Sequence, residues 1–127
     1  MRVFGIGIDV VEVERISAAI DRHGEVFLNK IFTPNEREYC DSKKTPAQHY
    51  AARFAAKEAV SKAFGTGIGG NAGLHDLEVI QDSNGAPKLH LSGAADAFAQ
   101  KHGISDIQIS LTHTEHYAAA NAIAITE

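Results

Sequence analysis

The segment that most constrains the fold lies between Pro46 and Gly65. Residues 47–64 are mostly strong helix formers, and a proline at the start and a glycine just past the end are typical helix boundaries. One side of this helix carries small residues, namely Ala55, Ala56, Ala59 and Ala63. A long helix with such a face predicts a neighbour that packs very closely against it.

Short apolar runs bounded by glycines and polar clusters predict strands around this helix, and apolar residues at helical spacing predict further helices. The strands are expected at residues 3–10, 77–81, 88–91, 106–112 and 118–125, and the other helices at 12–23, from 34 onward and at 93–102. Thr33 and Glu36 form a capping box for the helix that begins at Pro34. Asn84-Gly85 predicts a hairpin turn, which Pro87 lengthens. This order of elements, without regular strand-helix alternation, favours an α+β fold with a mainly antiparallel sheet.

Length and charge limit the classes of protein to which the chain can belong. With 127 residues it is long enough for one core and too short for two, so a single domain spanning 1–127 is expected. Twelve basic and sixteen acidic residues give a net charge of −4, which argues against nucleic-acid binding driven by overall charge. A domain of this size is also often stabilised by self-association.

Two further features concern the compartment. The apolar run at the N terminus is too short and too interrupted by glycine for a signal peptide or a membrane span. Cys40 is the only cysteine, which excludes an internal disulfide and fits a reducing environment. We therefore expect a cytoplasmic protein with no membrane partner, and a lone cysteine near a helix end is more often inert than nucleophilic.

Charged residues on the long helix have two interpretations. Arg53 and Lys57 are four residues apart, and so are Glu58 and Lys62. The simpler interpretation is a solvated face on which Glu58 and Lys62 pair, which contributes about 0.3–0.5 kcal/mol. The adjacent small face favours the alternative that these charges lie beside a close contact and have a function.

Asp9 ends a strand whose glycines, Gly5 and Gly7, predict close approach by another part of the chain. Capping of the following helix is one role for Asp9, and metal binding is another. If Asp9 and Glu58 converge to ~4 Å, they repel by about 4 kcal/mol at an effective dielectric of ~20, so a cation must lie between them. Two carboxylates suit Mg²⁺, and the chain has no Cys and His set typical of zinc.

Two weaker signals complete the candidate site. The sequence GTGIGGNAG at 65–73 could surround a phosphate with backbone amides, yet it lacks the lysine-serine ending of a P-loop. His113 lies in the polar turn between the last two predicted strands. One of seven histidines is more often a surface or packing residue than a catalytic one.

The combination of motifs is far more specific than any one of them. The segments are GIGIDVVEVERI at 5–16, FTPNERE at 32–38, RFAAKEAVSKAFGTGIG at 53–69 and SLTHTEHYAAA at 110–120. In order and spacing they closely resemble holo-acyl-carrier-protein synthases, the short bacterial type of phosphopantetheinyl transferase. The resemblance runs nearly end to end, and only residues 70–101 are less diagnostic.

This resemblance implies an assembly and a reaction. It implies the phosphopantetheinyl transferase fold in a homotrimer, with an active site in each cleft between subunits. It also implies that a serine of apo acyl carrier protein attacks the coenzyme A phosphorus nearest pantetheine, in support of fatty acid biosynthesis. The products would be holo acyl carrier protein and adenosine 3',5'-bisphosphate.

Roles follow by position for four residues. The resemblance implies that Asp9 and Glu58 bind Mg²⁺, that Lys62 contacts the coenzyme diphosphate and that His113 is a polar contact to coenzyme A. Glu58, Lys62 and His113 are accordingly the candidate catalytic residues. The general base is left open between Glu58, a metal-bound water and Glu36.

Two further groups are implied to bind ligands. Gly65 and Gly67 would form the loop against the nucleotide, although both could equally serve only to end the helix and turn the chain. Arg15 and Arg22 are seven apart on one face of the first helix and would dock the acidic carrier protein. Acidic neighbours on that helix leave a plain solvated role open, for Arg22 above all.

Two other functions remain open at this point. A magnesium-dependent hydrolase of diphosphates would use the same metal site. A non-catalytic trimeric module would bind nucleotide or carrier protein without transfer.

Overall fold

The computed structural model describes all 127 residues. The helices are α1 (Val13–His23), α2 (Glu25–Ile31), α3 (Pro34–Asp41), α4 (Pro46–Phe64) and α5 (Gly93–Lys101), with a short 3-10 helix at Leu74–Asp76. The strands are β1 (Arg2–Glu12), β2 (Leu77–Gln81), β3 (Pro87–Leu91), β4 (Ile104–His113) and β5 (Tyr117–Thr126). The fold is thus a small α+β domain, as the sequence predicts.

All strand pairs are antiparallel. β1, β5 and β4 form a three-stranded sheet in that order, so the N-terminal strand pairs with the C-terminal one. β2 and β3 form a separate hairpin. In the main sheet Asp9 of β1 lies opposite Ala120, and His113 of β4 lies opposite Ala118.

The core is the contact between α4 and the inner face of the main sheet. The inner face of β5 consists of buried alanines: Ala118, Ala120, Ala122 and Ala124. Gly5 and Gly7 lie on the same face of β1, where a Cβ on Gly7 would be only 2.8 Å from the carbonyl carbon of Ala59 in α4. Because all three elements present small residues, their backbones approach closely, as the glycines and alanines predict.

The predicted elements are confirmed, with strand ends extended by a few residues. The sequence does not predict α2, which follows α1 after a single residue. Gly24 does end α1, with φ 55°, but the chain re-enters a helix at the next residue. The turn at residues 82–86 is longer than two residues, and the Asp82 carboxylate accepts hydrogen bonds from the backbone of Asn84 and Ala86.

The outer face of the main sheet is apolar along β1. Ile6, Ile8 and Val10 are 68%, 65% and 61% exposed, and they lie on an edge strand. Single exposed apolar residues are normal, whereas a row of them on a sheet edge is typical of an interface. None of the helices has both the length and the hydropathy needed to cross a membrane.

Candidate active site

Asp9 is positioned by the register of β1. It lies two residues after Gly7 on the strand face that packs against α4, and its side chain is 18% exposed. Because Gly7 brings the strand backbone against α4 at Ala59, the Asp9 carboxylate comes close to the adjacent helical residue Glu58. Asp9 is not a capping residue for α1, since the N-cap is Glu12 and no side chain caps it.

Lys62 completes this group from the next turn of α4. Its Nζ donates hydrogen bonds to Asp9 Oδ1 at 3.0 Å and to the carbonyl oxygen of Ile8 at 2.9 Å. The ion pair therefore joins α4 to β1, and the simple expectation of a Glu58–Lys62 pair along the helix is wrong.

The carboxylate of Glu58 is half-buried and has an unusual electrostatic environment. Burial raises its pKa, the neighbouring Asp9 carboxylate raises it further, and the Lys62 ammonium partly offsets the increase. Such a perturbed pKa beside two other charges is typical of functional sites.

A cleft of about 370 Å³ opens beside these residues. Asp9, Glu58 and Arg15 supply its polar lining. The apolar lining includes Phe54 of α4 and Phe27 of α2. Phe27 could not be assigned to the site from the sequence, because its helix was not predicted.

The residues present fit a magnesium ion. Asp9 and Glu58 offer two carboxylates from facing elements, and their mutual repulsion favours a cation between them. No group of three or more His, Cys, Asp or Glu side chains is placed to hold a metal. Proteins usually bind Mg²⁺ through one or two carboxylates, and water and phosphate oxygens supply the other ligands.

His113 does not join this cluster within one chain. Its Nδ1 lies 3.0 Å from Gln48 Oε1, and its ring packs on His49 with 4.8 Å between centroids. Gln48 and Glu58 are ten residues apart on α4, which corresponds to roughly 15 Å along the helix axis. Asp9, Glu58 and Lys62 are therefore brought together, and His113 lies near the other end of α4.

The glycine loop begins with a left-handed helix cap. Gly65 has φ 82° and Gly67 has φ 71°, and the backbone N–H groups of residues 65–67 donate to carbonyls in the last turn of α4. The helix-ending role of Gly65 is confirmed. The same backbone hydrogen bonds occupy these amides, so they are not directed away from the helix toward a phosphate.

Glu36 is engaged in a buried ion pair. Its Oε1 accepts from Lys57 Nζ at 2.8 Å, and its Oε2 accepts from the backbone N–H of Val79 at 2.8 Å. Lys57 Nζ also donates to the carbonyl oxygens of Leu74 and Leu77. Through these bonds Glu36 connects α3, α4 and β2. Because the Glu36 and Lys57 side chains are fully buried, Glu36 does not serve as a base in the cleft.

The two arginines of α1 that are predicted to dock the carrier protein differ in position. Arg15 lines the cleft, whereas Arg22 lies two turns further along α1, and both are exposed.

Burial raises the pKa of the Cys40 thiol to about 12, which makes it an inert core residue, as expected. Arg53 and Lys57 are both buried, so this part of α4 is not a solvated face.

Comparison with known proteins is consistent with this arrangement. Residues 5–122 match the profile described as the 4'-phosphopantetheinyl transferase superfamily. The chain is 52% identical over 119 residues to the holo-[acyl-carrier-protein] synthase of Ruminiclostridium cellulolyticum, with coverage of 93% of this chain and 89% of that relative.

Solved structures agree over almost the whole chain. The holo-[acyl-carrier-protein] synthase of Neisseria meningitidis superimposes with a TM-score of 0.92 at 32% identity, covering 98% of this chain and 100% of the other. The Bacillus anthracis synthase, solved in complex with CoA (3',5'-ADP), gives 0.82 at 35% identity and 98% coverage of both chains. The chain belongs to the holo-[acyl-carrier-protein] synthase family within the 4'-phosphopantetheinyl transferase superfamily.

Proposed function

We propose that the protein transfers phosphopantetheine from coenzyme A to a serine of apo acyl carrier protein. The products are holo acyl carrier protein and adenosine 3',5'-bisphosphate, and the modified carrier serves fatty acid biosynthesis. The observation that supports this proposal best is the meeting of Asp9, Glu58 and Lys62 at the contact between β1 and α4. Family membership and the coenzyme-bound relative support it independently.

The reaction needs a proton acceptor and charge stabilisation. The serine oxygen attacks the phosphorus nearest pantetheine, the phosphorus–oxygen bond of the diphosphate breaks, and the bisphosphate leaves with the bonding electrons. Glu58 is the carboxylate that this chain offers as a base, because it lines the cleft and Glu36 is sequestered against Lys57. Lys62 supplies a cation for the leaving phosphate.

Magnesium is part of the proposal. Asp9 and Glu58 would hold it, and when bound it would offset negative charge on the diphosphate oxygens. Arg15 would orient the acidic carrier protein so that its serine enters the cleft that Phe27 and Phe54 line.

The decisive experiment is the intact mass of apo acyl carrier protein after incubation with the enzyme, coenzyme A and Mg²⁺. A phosphopantetheine adduct is expected. Release of adenosine bisphosphate without carrier protein would indicate a hydrolase instead, and tight binding with no adduct would indicate a non-catalytic module.

Arg15→Ala is expected to raise the KM for carrier protein about fivefold to tenfold and to leave the KM for coenzyme A unchanged. The reason is that Arg15 is an exposed cation in the lining of the cleft. Steady-state kinetics with each substrate varied in turn measures both constants. Lys88→Ala, which removes an exposed cation on β3, is the matched control and should change neither. Equal increases in both constants would remove the docking role.

We further propose that the protein forms a homotrimer through the outer sheet face and that each active site lies between subunits. The exposed row of Ile6, Ile8 and Val10 supports the interface. The separation of His113 from Glu58 along α4 supports a shared site, since His113 would then contact the coenzyme held by a neighbouring subunit.

Ile8→Glu is expected to dissociate this assembly at micromolar concentration and to abolish transfer, because it places a charge in a desolvated interface. Light scattering after size-exclusion chromatography measures the mass. Val26→Glu is the matched control, since Val26 is 76% exposed on α2 and outside the sheet. A trimer that survives Ile8→Glu, or a monomeric wild type, would contradict the proposal.

A further inference from the structure

Lys62 makes two contacts with β1 that its proposed role toward the coenzyme does not require. Its ammonium lies 3.0 Å from Asp9 Oδ1 and 2.9 Å from the carbonyl oxygen of Ile8. A lysine ammonium has three N–H donors, so two of the three are directed at β1. The residue assigned to the coenzyme diphosphate is therefore attached to a carboxylate assigned to the metal.

The two carboxylates differ in this respect. Asp9 has a cationic partner, whereas no basic nitrogen lies within 4.0 Å of the Glu58 carboxylate oxygens. The Lys62 ammonium thus forms an ion pair with Asp9 and leaves the Glu58 carboxylate without one. A divalent ion held by both acids would draw on the same Asp9 carboxylate as Lys62.

The existing ion pair is weak enough to be exchanged. The Lys62 side chain is 49% exposed and the Asp9 side chain 18%, so water reaches the lysine end of the pair and screens part of its attraction. Its flexible stem also allows the ammonium to move while the helix stays fixed.

We propose that Lys62 exchanges partners during the reaction cycle: it pairs with Asp9 in the metal-free protein, loses that contact when a divalent cation binds, and is thereby released to the coenzyme diphosphate. This inference rests on the proposed function. It gives Lys62 opposite effects on the two ligands, because it competes with the metal and attracts the coenzyme. A lysine that only contacted the diphosphate would leave metal binding without coenzyme unchanged.

The test is Mn²⁺ binding to the full-length protein without coenzyme A, followed by electron paramagnetic resonance of the free ion. Lys62→Met keeps the length of the stem and removes the ammonium. Its Mn²⁺ dissociation constant is expected to fall about threefold to fivefold, which corresponds to roughly 0.7–1 kcal/mol. Coenzyme A affinity, measured by calorimetry, is expected to weaken in the same variant.

Two controls separate the contact from net charge. Arg15→Met removes a cation from the same cleft that does not bond to Asp9, and it should tighten Mn²⁺ binding less than twofold. Lys62→Arg keeps the charge and should stay within twofold of the wild type. Lys62→Gln repeats the main measurement with a polar side chain, and circular dichroism establishes that each variant is folded.

Unchanged or weaker Mn²⁺ binding in Lys62→Met would overturn the exchange, and so would equal tightening in Lys62→Met and Arg15→Met. Either result leaves the transferase proposal standing, provided that the wild type binds Mn²⁺. A wild type that binds no Mn²⁺ with or without coenzyme A would overturn the exchange and the metal site together.

Discussion

Glu58→Gln is expected to lower the rate of carrier modification about a thousandfold at saturating coenzyme A, Mg²⁺ and carrier protein. The substitution keeps the size of the side chain and removes its negative charge. It therefore removes one of the two carboxylates facing the cleft and also the proposed base. Because both functions act on the reacting groups, the loss should appear in kcat.

The measurement is the time course of carrier protein mass, with initial rates taken from the holo fraction. Glu38→Gln is the matched control, since Glu38 is an exposed carboxylate on α3 outside the cleft and the change in net charge is identical. The control should retain wild-type rates. A Glu58→Gln variant that keeps more than a tenth of the wild-type rate at saturating Mg²⁺ would contradict the role of Glu58 as the base.

A second measurement on the same variant distinguishes metal binding from proton transfer. If Glu58 mainly holds the metal, Glu58→Gln weakens Mn²⁺ binding and excess metal restores part of the rate. If it mainly accepts the proton, metal binding changes little and no excess restores the rate. Asp9→Asn provides the comparison, because Asp9 has no proposed role as a base.

Much of the fold follows from the sequence because local and tertiary signals agree. The long helix at Pro46–Phe64 has a proline at its start, a glycine cap and a small face, so its ends and the face that packs most closely are specified together. The glycines of β1 and the alanines of α4 each predict a close neighbour, and the structure shows that they are neighbours of each other. Residue patterns alone left the convergence of Asp9 and Glu58 open, and it was the resemblance to the synthase family that implied a shared site.

Side-chain partners were less predictable, since they depend on which elements meet in space. Spacing alone pairs Glu58 with Lys62, yet Lys62 bonds to Asp9 across the β1–α4 contact. The sequence left Glu36 open as a base. Its buried partner, Lys57, is 21 residues away along the chain, and spacing alone does not predict a pair that distant. The position of His113 at the far end of α4 likewise follows from strand register, which a single sequence determines poorly.

Gly7→Ala is expected to prevent stable folding, with a loss of at least about 3 kcal/mol in the free energy of unfolding. A Cβ at this position would overlap the carbonyl oxygen of Ala59. It would also lie 2.8 Å from the carbonyl carbon of Ala59 and 2.9 Å from the backbone nitrogen of Ala63. All three are backbone atoms of a buried helix. No side-chain rearrangement or truncation in α4 can make room, so the strand and helix must separate.

Urea unfolding followed by circular dichroism measures the loss, and Gly70→Ala is the matched control because a Cβ there meets nothing within 4 Å. The control should change the free energy of unfolding by less than about 0.5 kcal/mol. A Gly7→Ala protein whose free energy of unfolding is within about 1 kcal/mol of the wild type would contradict the close contact.

The contact between β1 and α4 also positions the active site, since Asp9 follows Gly7 by two residues and Glu58 precedes Ala59. Any variant that moves β1 away from α4 while the chain stays folded should therefore lose Mn²⁺ binding before it loses secondary structure.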